Sequence, residues 1–305
     1  MNIFSDLQTI AGQENIEERV SFRKLTTFKS GGEARCFVSP PSEEALKELL
    51  AYLKKNGVPY FLLGRGANVL ASDRGFDGVI ISLRKHFSGI TAEGQRLYAG
   101  AGAYMSEAAK AALSASLSGL EFASGIPGTI GGGLFMNTGA YGGELKDVVR
   151  EVRVLTEDGE IRTFSNEEMG FSYRHSVLSE NGAIALRAVL ELHPGDDAEI
   201  LSAMNELSEK RKVKQPLEFA SAGSTFKRPE GYYAGALIEA AGLKGFRIGD
   251  AGVSEKHAGF VVNYHQATSD DIYRVIRHVQ KTVQAQSGVL LEREVRLLGE
   301  FEWNL

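Results

Sequence analysis

The chain has 305 residues, of which 43% are hydrophobic, 24% are charged and 35 are glycine. This length is typical of about two domains with a large buried core, and the composition excludes a disordered or collagen-like protein. With 34 Lys and Arg against 39 Asp and Glu, the net charge of -5 excludes a globally basic nucleic-acid-binding protein.

The first predicted elements form a strand–helix–strand unit. Residues 35–38 predict a strand, and Ser42 is the expected N-cap of a helix that Gly57 ends. Residues 60–63 predict a short buried strand, and a βαβ unit of this kind implies parallel strands. With a further strand at 79–83, this part of the chain predicts a small α+β subdomain.

Short strands around one helix are predicted in the middle of the chain. The strands lie at 96–99, 149–156 and 183–192, the helix lies at 106–118, and a long glycine-rich loop follows it. Residues 196–214 have the apolar spacing of a surface helix. These elements indicate a second subdomain and a helical connector.

The last part of the chain is predicted to contain two helices and a closing strand. A short helix is expected near 234–241, and a longer one begins with Ser269 as its N-cap and ends at Gly288. Residues 289–298 then predict a strand, in which Glu294 shares one face with Arg296.

Glycine is the unusual feature of the composition. Average usage near 7% gives about 21 glycines at this length, so roughly fourteen of the 35 need an explanation. Gly64 and Gly66 follow a predicted strand, where two glycines let backbone N–H groups converge on a phosphate. The loop is not a Rossmann fingerprint, because Val69 replaces the third glycine. A tight left-handed turn is the alternative.

A second cluster has eight glycines between Gly125 and Gly143. Glycine loses the most backbone entropy on folding, so a large flat ligand lying against the backbone would compensate for this. The alternative, a flexible surface loop, is disfavoured because Ile126, Pro127 and Ile130 are too apolar for a solvated linker.

A third group of residues surrounds a small-residue turn. Ser224 lies near Lys214, Lys227 and Arg228, an arrangement that suits a proton-donating hydroxyl next to an anionic substrate. An exposed basic turn is the alternative. The six histidines have no metal-ligand spacing, and residues 292–296 are equally typical of a solvated charged edge.

The single cysteine and the sequence of the N-terminus indicate in which cellular compartment the protein is expected. Cys36 is the only cysteine, so it forms no internal disulfide and has no partners for a metal site. The N-terminus has neither a basic region nor an apolar region of a signal peptide. The longest uncharged stretch, 122–143, is too rich in glycine to span a membrane. We expect a cytoplasmic protein that binds no metal, no nucleic acid and no membrane.

Six segments, in this order, resemble the UDP-N-acetylenolpyruvoylglucosamine reductases, flavoenzymes of bacterial peptidoglycan synthesis. The similar segments are 27–32, 64–70, 125–143, 173–176, 215–216 with 222–226, and 291–296. The chain is similar to the shorter subclass, because the spacing between Arg174 and Ser221 is too short for the tyrosine-bearing substrate loop of the longer enzymes.

The resemblance implies an α+β fold of the FAD-binding type shared with vanillyl-alcohol-oxidase flavoenzymes. Its two subdomains would be residues 1–83 and 84–212, followed by an α+β substrate domain at 213–305 whose last strand is a candidate to return to the FAD domain. Non-covalent FAD would be bound by two groups of residues. These are Gly64, Arg65, Gly66, Ala67, Asn68, Val69 and Leu70 in the first, and Gly125, Ile126, Pro127, Gly128, Thr129, Gly131, Gly132, Asn137 and Gly139 in the second.

The resemblance also implies the reaction, in which NADPH reduces FAD and UDP-N-acetylglucosamine enolpyruvate is then reduced to UDP-N-acetylmuramate. Arg174 and Glu294 would stabilise the charge that develops on the substrate carboxylate, and Ser224 would donate a proton to C2. Lys214, Lys227 and His257 are the expected substrate contacts. Arg228 stands where many relatives carry Asn, a departure from the pattern of the family.

Two other functions are compatible with parts of this pattern. A flavin oxidase acting on an alcohol or hydroxy acid would share the cofactor loops, and a nucleotide-sugar-binding module without catalysis would share the basic turn. Neither accounts for Arg174 and Glu294 together with both glycine clusters. The expected partners are therefore small molecules, and the expected oligomeric state is a monomer.

Overall fold

The computed structural model describes residues 3–301. The helices are α1 Ile3–Ala11, α2 Phe22–Leu25, α3 Glu43–Lys55, α4 Met105–Ser114, α5 Ile130–Met136, α6 Asp197–Lys214, α7 Ala234–Ala240 and α8 Ser269–Ser287. None of the helices between residues 3 and 301 combines the length and apolar composition of a membrane-spanning segment.

The strands are mostly short. They are β1 Ile16–Ser21, β2 Glu33–Val38, β3 Tyr60–Leu62, β4 Val69–Ala71, β5 Phe76–Ile81, β6 Ile90–Glu93, β7 Arg96–Gly100, β8 Leu117–Ser118, β9 Gly139–Ala140, β10 Gly143–Glu144, β11 Val149–Leu155, β12 Ile161–Ser165, β13 Ile184–Glu191, β14 His193–Pro194, β15 Ala220–Ser221, β16 Arg247–Ile248, β17 Ala251–Val253, β18 Val261–Asn263 and β19 Arg296–Leu298.

The chain divides into two compact units, each assembled from separate stretches of sequence. The first unit consists of the N-terminal residues up to Glu17 and of residues 37–65 and 80–210. The second consists of residues 18–36, 66–79 and those from Arg211 onward.

The first unit is built on an antiparallel five-stranded sheet with the order β12-β11-β13-β7-β6. Helix α5 packs against β13, and the fully buried Ile130 and Leu134 form its inner face. Helix α3 starts where the sequence predicts, because the Ser42 side chain accepts the N–H of Ala45.

The second unit is built on a four-stranded sheet with the order β15-β18-β17-β16. Helix α8 packs against β16, β17 and β18 through a stripe that includes Ile272, Ile276 and Val279, none of which is exposed. Strand β19 pairs in parallel with β4, with Leu297 opposite Leu70. The core of this unit therefore joins residues that are far apart in the sequence.

The structure differs from the prediction for the first strands. In the four-stranded sheet β1-β2-β5-β3, strand β5 lies between β2 and β3, so the two strands of the predicted βαβ unit are not neighbours. Strand β3 is at the edge of this sheet. Its Tyr60 and Leu62 are exposed, although the prediction was a buried strand.

Two helix boundaries also differ from the prediction. Helix α4 ends at Ser114 rather than 118, because Ser116 adopts a left-handed φ of 54° and Leu117–Ser118 pairs with β14. Helix α8 is capped one residue earlier than predicted, because the Thr268 side chain accepts the N–H of Asp271. The C-terminal stop of α8 at Gly288, with φ 73°, is confirmed.

The predicted strand 289–298 is much shorter in the structure, where β19 covers only Arg296–Leu298. The residues before it instead form isolated bonds to another segment. Lys227 donates its N–H to the Glu292 carbonyl (2.8 Å), and Glu294 donates its N–H to the Thr225 carbonyl (2.9 Å). Backbone groups of 292–294 that would belong to a regular strand are therefore paired with 225–227.

Candidate functional site

The loop after β3 has features of a tight left-handed turn and also of a phosphate-binding loop. Gly66 has a left-handed φ of 66°, and a β-carbon there would overlap the Leu25 carbonyl oxygen. Only glycine therefore fits without strain. The backbone N–H groups of Gly64, Arg65, Gly66 and Ala67 have no acceptor among residues 3–301, so this tight turn also presents donors of the kind that bind phosphate.

The rest of this loop belongs to the framework. The Asn68 carbonyl accepts the Arg296 N–H (3.0 Å), and its side-chain Nδ2 donates to the Glu294 carbonyl (3.2 Å). Val69 and Leu70 are buried in β4. Of the predicted FAD contacts in the loop, these last two can contribute backbone only, because their side chains lie in the core.

An arginine–tyrosine stack beside the loop was missed by the sequence analysis. The Cζ atoms of Arg65 and Arg84 lie 5.0 and 4.1 Å from the centroid of the Tyr104 ring. Glu107 holds Arg84 by two bonds of 2.8 and 2.6 Å and also accepts the N–H of Tyr104. One carboxylate is thus used to fix Arg84, and the Arg65 guanidinium adds positive charge next to the loop. Glu107 stands three positions after Tyr104, the spacing of a capping box, but such a box normally begins with Ser or Thr, so the sequence carries no clear signal for this arrangement.

The glycine-rich segment was predicted as a loop, but its centre is helix α5. Thr129 caps this helix by accepting the N–H of Gly132 at 3.3 Å. The N–H of Ile130 donates to the Ala103 carbonyl, and that of Gly131 to the Ala101 carbonyl. The first amides of α5 are therefore satisfied within the protein, and they do not form an anion site.

The glycines of this segment fall into two groups. A β-carbon at Gly133 would lie 2.8 Å from Leu145 Cδ1, and one at Gly143 would lie 2.6 Å from Phe122 Cδ1, so these glycines allow close packing. At Gly128 a β-carbon would meet no atom within 4 Å, and at Gly132 it would meet only Thr129 Oγ1 at 3.4 Å. Gly132 is also exposed. At Gly128 and Gly132 the segment therefore presents open, side-chain-free backbone.

That open surface fits the cofactor implied by the resemblance. A flat aromatic ring system needs close access to backbone, and Gly128 and Gly132 provide it where any larger residue would fill the space. Gly125 and Pro127 are exposed beside them, whereas Ile126 is half-buried. Gly139 is in β9, packed against Gly143 and Glu144.

Asn137 ends α5 in a left-handed conformation with φ 43° and is 1% exposed. Its Nδ2 donates to Glu144 Oε2 (2.8 Å) and to the Ser172 carbonyl (3.1 Å), and its Oδ1 accepts the Lys146 N–H (2.9 Å). The side-chain amide is therefore bonded to the protein, so a contact with cofactor would involve the backbone of Asn137.

Arg174 lies on a tight turn with a left-handed φ of 55°. Ser172 and His175 close the turn by exchanging N–H···O bonds of 3.1 and 3.2 Å. The Arg174 Cζ lies 5.6 Å from the centroid of the exposed Tyr173 ring. Left-handed non-glycine residues are concentrated at functional sites, where surrounding contacts maintain the strain.

In the second unit, the segments that carry Ser224 and Glu294 lie side by side. The bond from the Glu294 N–H to the Thr225 carbonyl (2.9 Å) joins them, and Phe226 forms a β-bridge with Arg293. Gly223, with φ 75°, makes the turn before Ser224. The two predicted catalytic residues of this unit thus come from segments with adjacent backbones.

His257 belongs to the same neighbourhood. Thr225 donates its N–H to the Gly259 carbonyl (2.9 Å), and its Oγ1 accepts the Val261 N–H (2.9 Å). The Nδ1 of His257 accepts the N–H of Gly259 (3.1 Å), so the neutral ring carries its proton on Nε2. Burial lowers the pKa of His257, which favours this neutral, Nε2-donating form.

The basic side chains around the small-residue turn, of which Lys214 and Lys227 are predicted substrate contacts, differ in their surroundings. Lys214 is exposed at the end of α6. Lys227 forms an ion pair with Glu292 at 2.5 Å, and the Arg228 Cζ lies 4.0 Å from the centroid of the exposed Tyr233 ring. An anionic substrate at Lys227 would therefore share the ammonium with Glu292.

Known proteins match this chain over nearly its whole length. A model of the UDP-N-acetylenolpyruvoylglucosamine reductase C-terminal domain matches residues 215–298, and a model of an FAD binding domain matches residues 34–165. A UDP-N-acetylenolpyruvoylglucosamine reductase from Clostridioides difficile is 48% identical over 299 residues, 98% of each chain. One from Caldanaerobacter subterraneus subsp. tengcongensis is 50% identical over 278 residues, 91% of this chain and 92% of its own.

One solved structure gives the same assignment, and a second one shares the fold. The UDP-N-acetylenolpyruvylglucosamine reductase from Thermus caldophilus superposes with a TM-score of 0.80 and 36% identity, over 92% of this chain and 98% of that chain. A glucose dehydrogenase, Phl p 4.0202, matches with a TM-score of 0.51 and 14% identity, over 65% of this chain and 45% of its own, which bears on the fold alone. The predicted fold class is confirmed as far as an α+β protein with an FAD binding domain followed by a reductase C-terminal domain. By its sequence, its two matched domains and its structure, the chain belongs to the UDP-N-acetylenolpyruvoylglucosamine reductase family.

Proposed function

We propose that this protein reduces UDP-N-acetylglucosamine enolpyruvate to UDP-N-acetylmuramate, with NADPH as the electron donor, in peptidoglycan precursor synthesis. The observation that carries the proposal is the close match to reductases of this name over 98% of the chain, together with the FAD binding domain at 34–165. The protein is an FAD-dependent oxidoreductase, and FAD supplies the hydride that is added to the enolpyruvyl double bond.

The proposed cofactor site uses the two glycine segments. Gly64, Arg65, Gly66 and Ala67 would bind the pyrophosphate through backbone N–H groups that have no acceptor within residues 3–301. The open backbone around Gly128 would cover the flavin, because no atom lies within 4 Å of where a β-carbon would be.

Arg174, Glu294 and Ser224 are the proposed catalytic residues. Addition of hydride to C3 of the enolpyruvyl group moves charge onto its carboxylate, which the Arg174 guanidinium and a protonated Glu294 would stabilise. Ser224 would then donate its hydroxyl proton to C2, so that one hydride and one proton are added across the double bond. The bond between Thr225 and Glu294 supports this assignment for the two residues of the second unit.

Lys214, Lys227 and His257 are proposed to contact the substrate. A neutral His257 would donate a hydrogen bond from Nε2, since its Nδ1 already accepts one from Gly259.

We further propose that the chain divides into domains at residues 1–83, 84–212 and 213–305, that the protein is located in the cytoplasm and that it is a monomer.

The absorption spectrum of the purified protein tests the proposed function. We expect a yellow protein whose flavin band is bleached by NADPH without oxygen and restored by UDP-N-acetylglucosamine enolpyruvate. Recovery only on admission of oxygen would instead indicate an oxidase and would contradict the proposal. A colourless protein that FAD does not reconstitute would contradict it as well.

Ser224→Ala tests the assignment of the proton donor. Removal of the hydroxyl is expected to leave the bleaching by NADPH nearly unchanged and to slow the recovery with substrate by at least about 100-fold, because general acid catalysis contributes about 10²–10⁴-fold. Stopped-flow absorbance follows each half-reaction separately. Equal slowing of both half-reactions would show that Ser224 has another role.

A further inference from the structure

We propose that Asn137 is a positioning residue for Arg174, an inference that rests on the function proposed above. Asn137 was predicted as a cofactor contact, but its buried side chain is bonded elsewhere. The amide joins the end of α5 to the turn that carries the arginine, through its bond to the Ser172 carbonyl 35 positions away.

The turn is attached to α5 on both sides of Arg174. Before the arginine, Ser172 accepts the bond from Asn137 Nδ2 at 3.1 Å. After it, the fully buried Ser176 donates its hydroxyl to the Phe135 carbonyl at 3.1 Å. Phe135 in the last turn of α5 and Asn137 at its C-cap thus hold the two ends of a five-residue stretch with Arg174 at its centre.

Asn137 is itself held firmly. Asn137 Nδ2 also donates a hydrogen bond to Glu144 Oε2 at 2.8 Å, and Glu144 forms an ion pair with Lys146. The Lys146 N–H donates to Asn137 Oδ1 at 2.9 Å. With bonds on both ends, the amide has one orientation, so Nδ2 points to the Ser172 carbonyl.

These contacts matter because the turn is strained. Arg174 keeps its left-handed φ of 55° only where surrounding contacts maintain it. Loss of the Asn137 bond would allow the turn to relax and the guanidinium to move. A displacement of about 1 Å from a productive position can slow a reaction about 100-fold. Asn137 therefore acts on the reaction through Arg174, and not by touching substrate.

Asn137→Gly is the test variant, because glycine keeps the left-handed conformation and removes only the amide. We expect the recovery of the flavin band with enolpyruvyl substrate to slow by about 10- to 100-fold. Bleaching by NADPH should stay within about twofold of the wild-type rate, since Arg174 acts on the second substrate. Ser176→Ala, a milder change at the other end of the turn, should slow the same half-reaction.

A double-mutant cycle separates positioning from general damage. In an Arg174→Ala background the amide has no guanidinium left to position, so adding Asn137→Gly should change the recovery rate by less than about twofold. If Asn137→Gly slowed the recovery by the same factor in the Arg174→Ala background as in the wild type, the proposal would be overturned.

Hydrogen exchange of the protein without substrate gives a readout independent of activity. The N–H groups of Ser172 and His175, which close the turn, should exchange faster in Asn137→Gly than in wild type. Asn15→Ala is the matched control, because Asn15 is also buried in the first unit and donates Nδ2 to a backbone carbonyl, that of Ala11 at 2.7 Å. It should leave exchange at 172–175 and the balance of the two half-reactions unchanged.

The outcomes distinguish this inference from the proposed function. A wild-type protein that never responds to enolpyruvyl substrate would overturn the function and with it the positioning role of Asn137 in that reaction. An active wild type whose Asn137→Gly variant recovers at the normal rate, or exchanges normally at Ser172 and His175, would overturn the positioning role alone.

Discussion

Gly66 and Gly128 both lie in segments proposed to bind FAD, yet a β-carbon would have opposite effects at the two positions. At Gly66 it would overlap the Leu25 carbonyl oxygen, in a backbone with φ 66°. At Gly128 it would extend into space with no atom within 4 Å. One glycine is needed by the fold, and the other leaves room for a ligand.

Alanine at each position should therefore separate stability from cofactor binding. Gly66→Ala is expected to lower the free energy of unfolding by more than about 2 kcal/mol, because the left-handed conformation alone costs about 1–3 kcal/mol. Gly128→Ala should change it by less than about 0.5 kcal/mol and raise the FAD dissociation constant about tenfold or more, a loss of about 1.4 kcal/mol. Urea unfolding of the apoprotein and flavin titration measure the two quantities. Unchanged flavin affinity in Gly128→Ala would remove this surface from the cofactor site.

Helix α5 shows how a single hydroxyl can support an element with poor propensity. Three consecutive glycines, Gly131 to Gly133, each disfavour helix by about 1 kcal/mol relative to alanine. The helix forms because Ile130 and Leu134 are fully buried and because Thr129 caps its first turn.

Removal of that cap should have a measurable effect. Thr129→Ala is expected to lower the free energy of unfolding by about 1 kcal/mol, because the Gly132 N–H loses its acceptor. Thr129→Ser keeps the hydroxyl and is the matched control. Urea denaturation of both variants tests this, and equal stabilities would show that the cap contributes nothing.

The elements that local signals specify could be predicted, and those that depend on distant contacts could not. The Ser42 cap, the apolar stripe of α8 and its Gly288 stop are local features, and each is confirmed. Helix α5 was missed because its stability comes from burial and not from propensity. The predicted closing strand was too long because the bonds of 292–294 to 225–227 cannot be seen in a local pattern.

The same distinction applies to the candidate site. Similarity of short segments located Arg174, Ser224 and Glu294 as catalytic candidates, and they remain a prediction. The contacts that hold them were not predictable, because Asn137 and Ser172 are 35 positions apart and Asn68 and Glu294 are 226 positions apart. Neither pair has a spacing that marks a known motif.

At the scale of the whole molecule, the core of the second unit is assembled from three separate stretches of sequence. Leu70, Phe28 and Ile276 are fully buried in one hydrophobic cluster. Because they come from residues 18–36, 66–79 and the stretch after Arg211, this unit should unfold as one body although its sequence is discontinuous.

Leu70→Ala tests this cooperation. The cavity should cost about 2–5 kcal/mol and should raise hydrogen exchange in helix α8, about 200 positions further along the chain. Leu97→Ala, an equally buried position in the first unit, is the control and should raise exchange there. If Leu70→Ala left α8 fully protected, the second unit would not be one cooperative body.

The pairing of β4 with β19 also dictates an order of events during synthesis. Ser72 donates its hydroxyl to the Glu300 carbonyl, 228 positions later, and Leu70 lies opposite Leu297. Translation at about 5–20 residues per second places roughly 10–45 s between the emergence of these partners. During that interval, the apolar strand β4 has no β19 to pair with. The nascent chain therefore exposes a segment that chaperones can bind and that is buried in the folded protein.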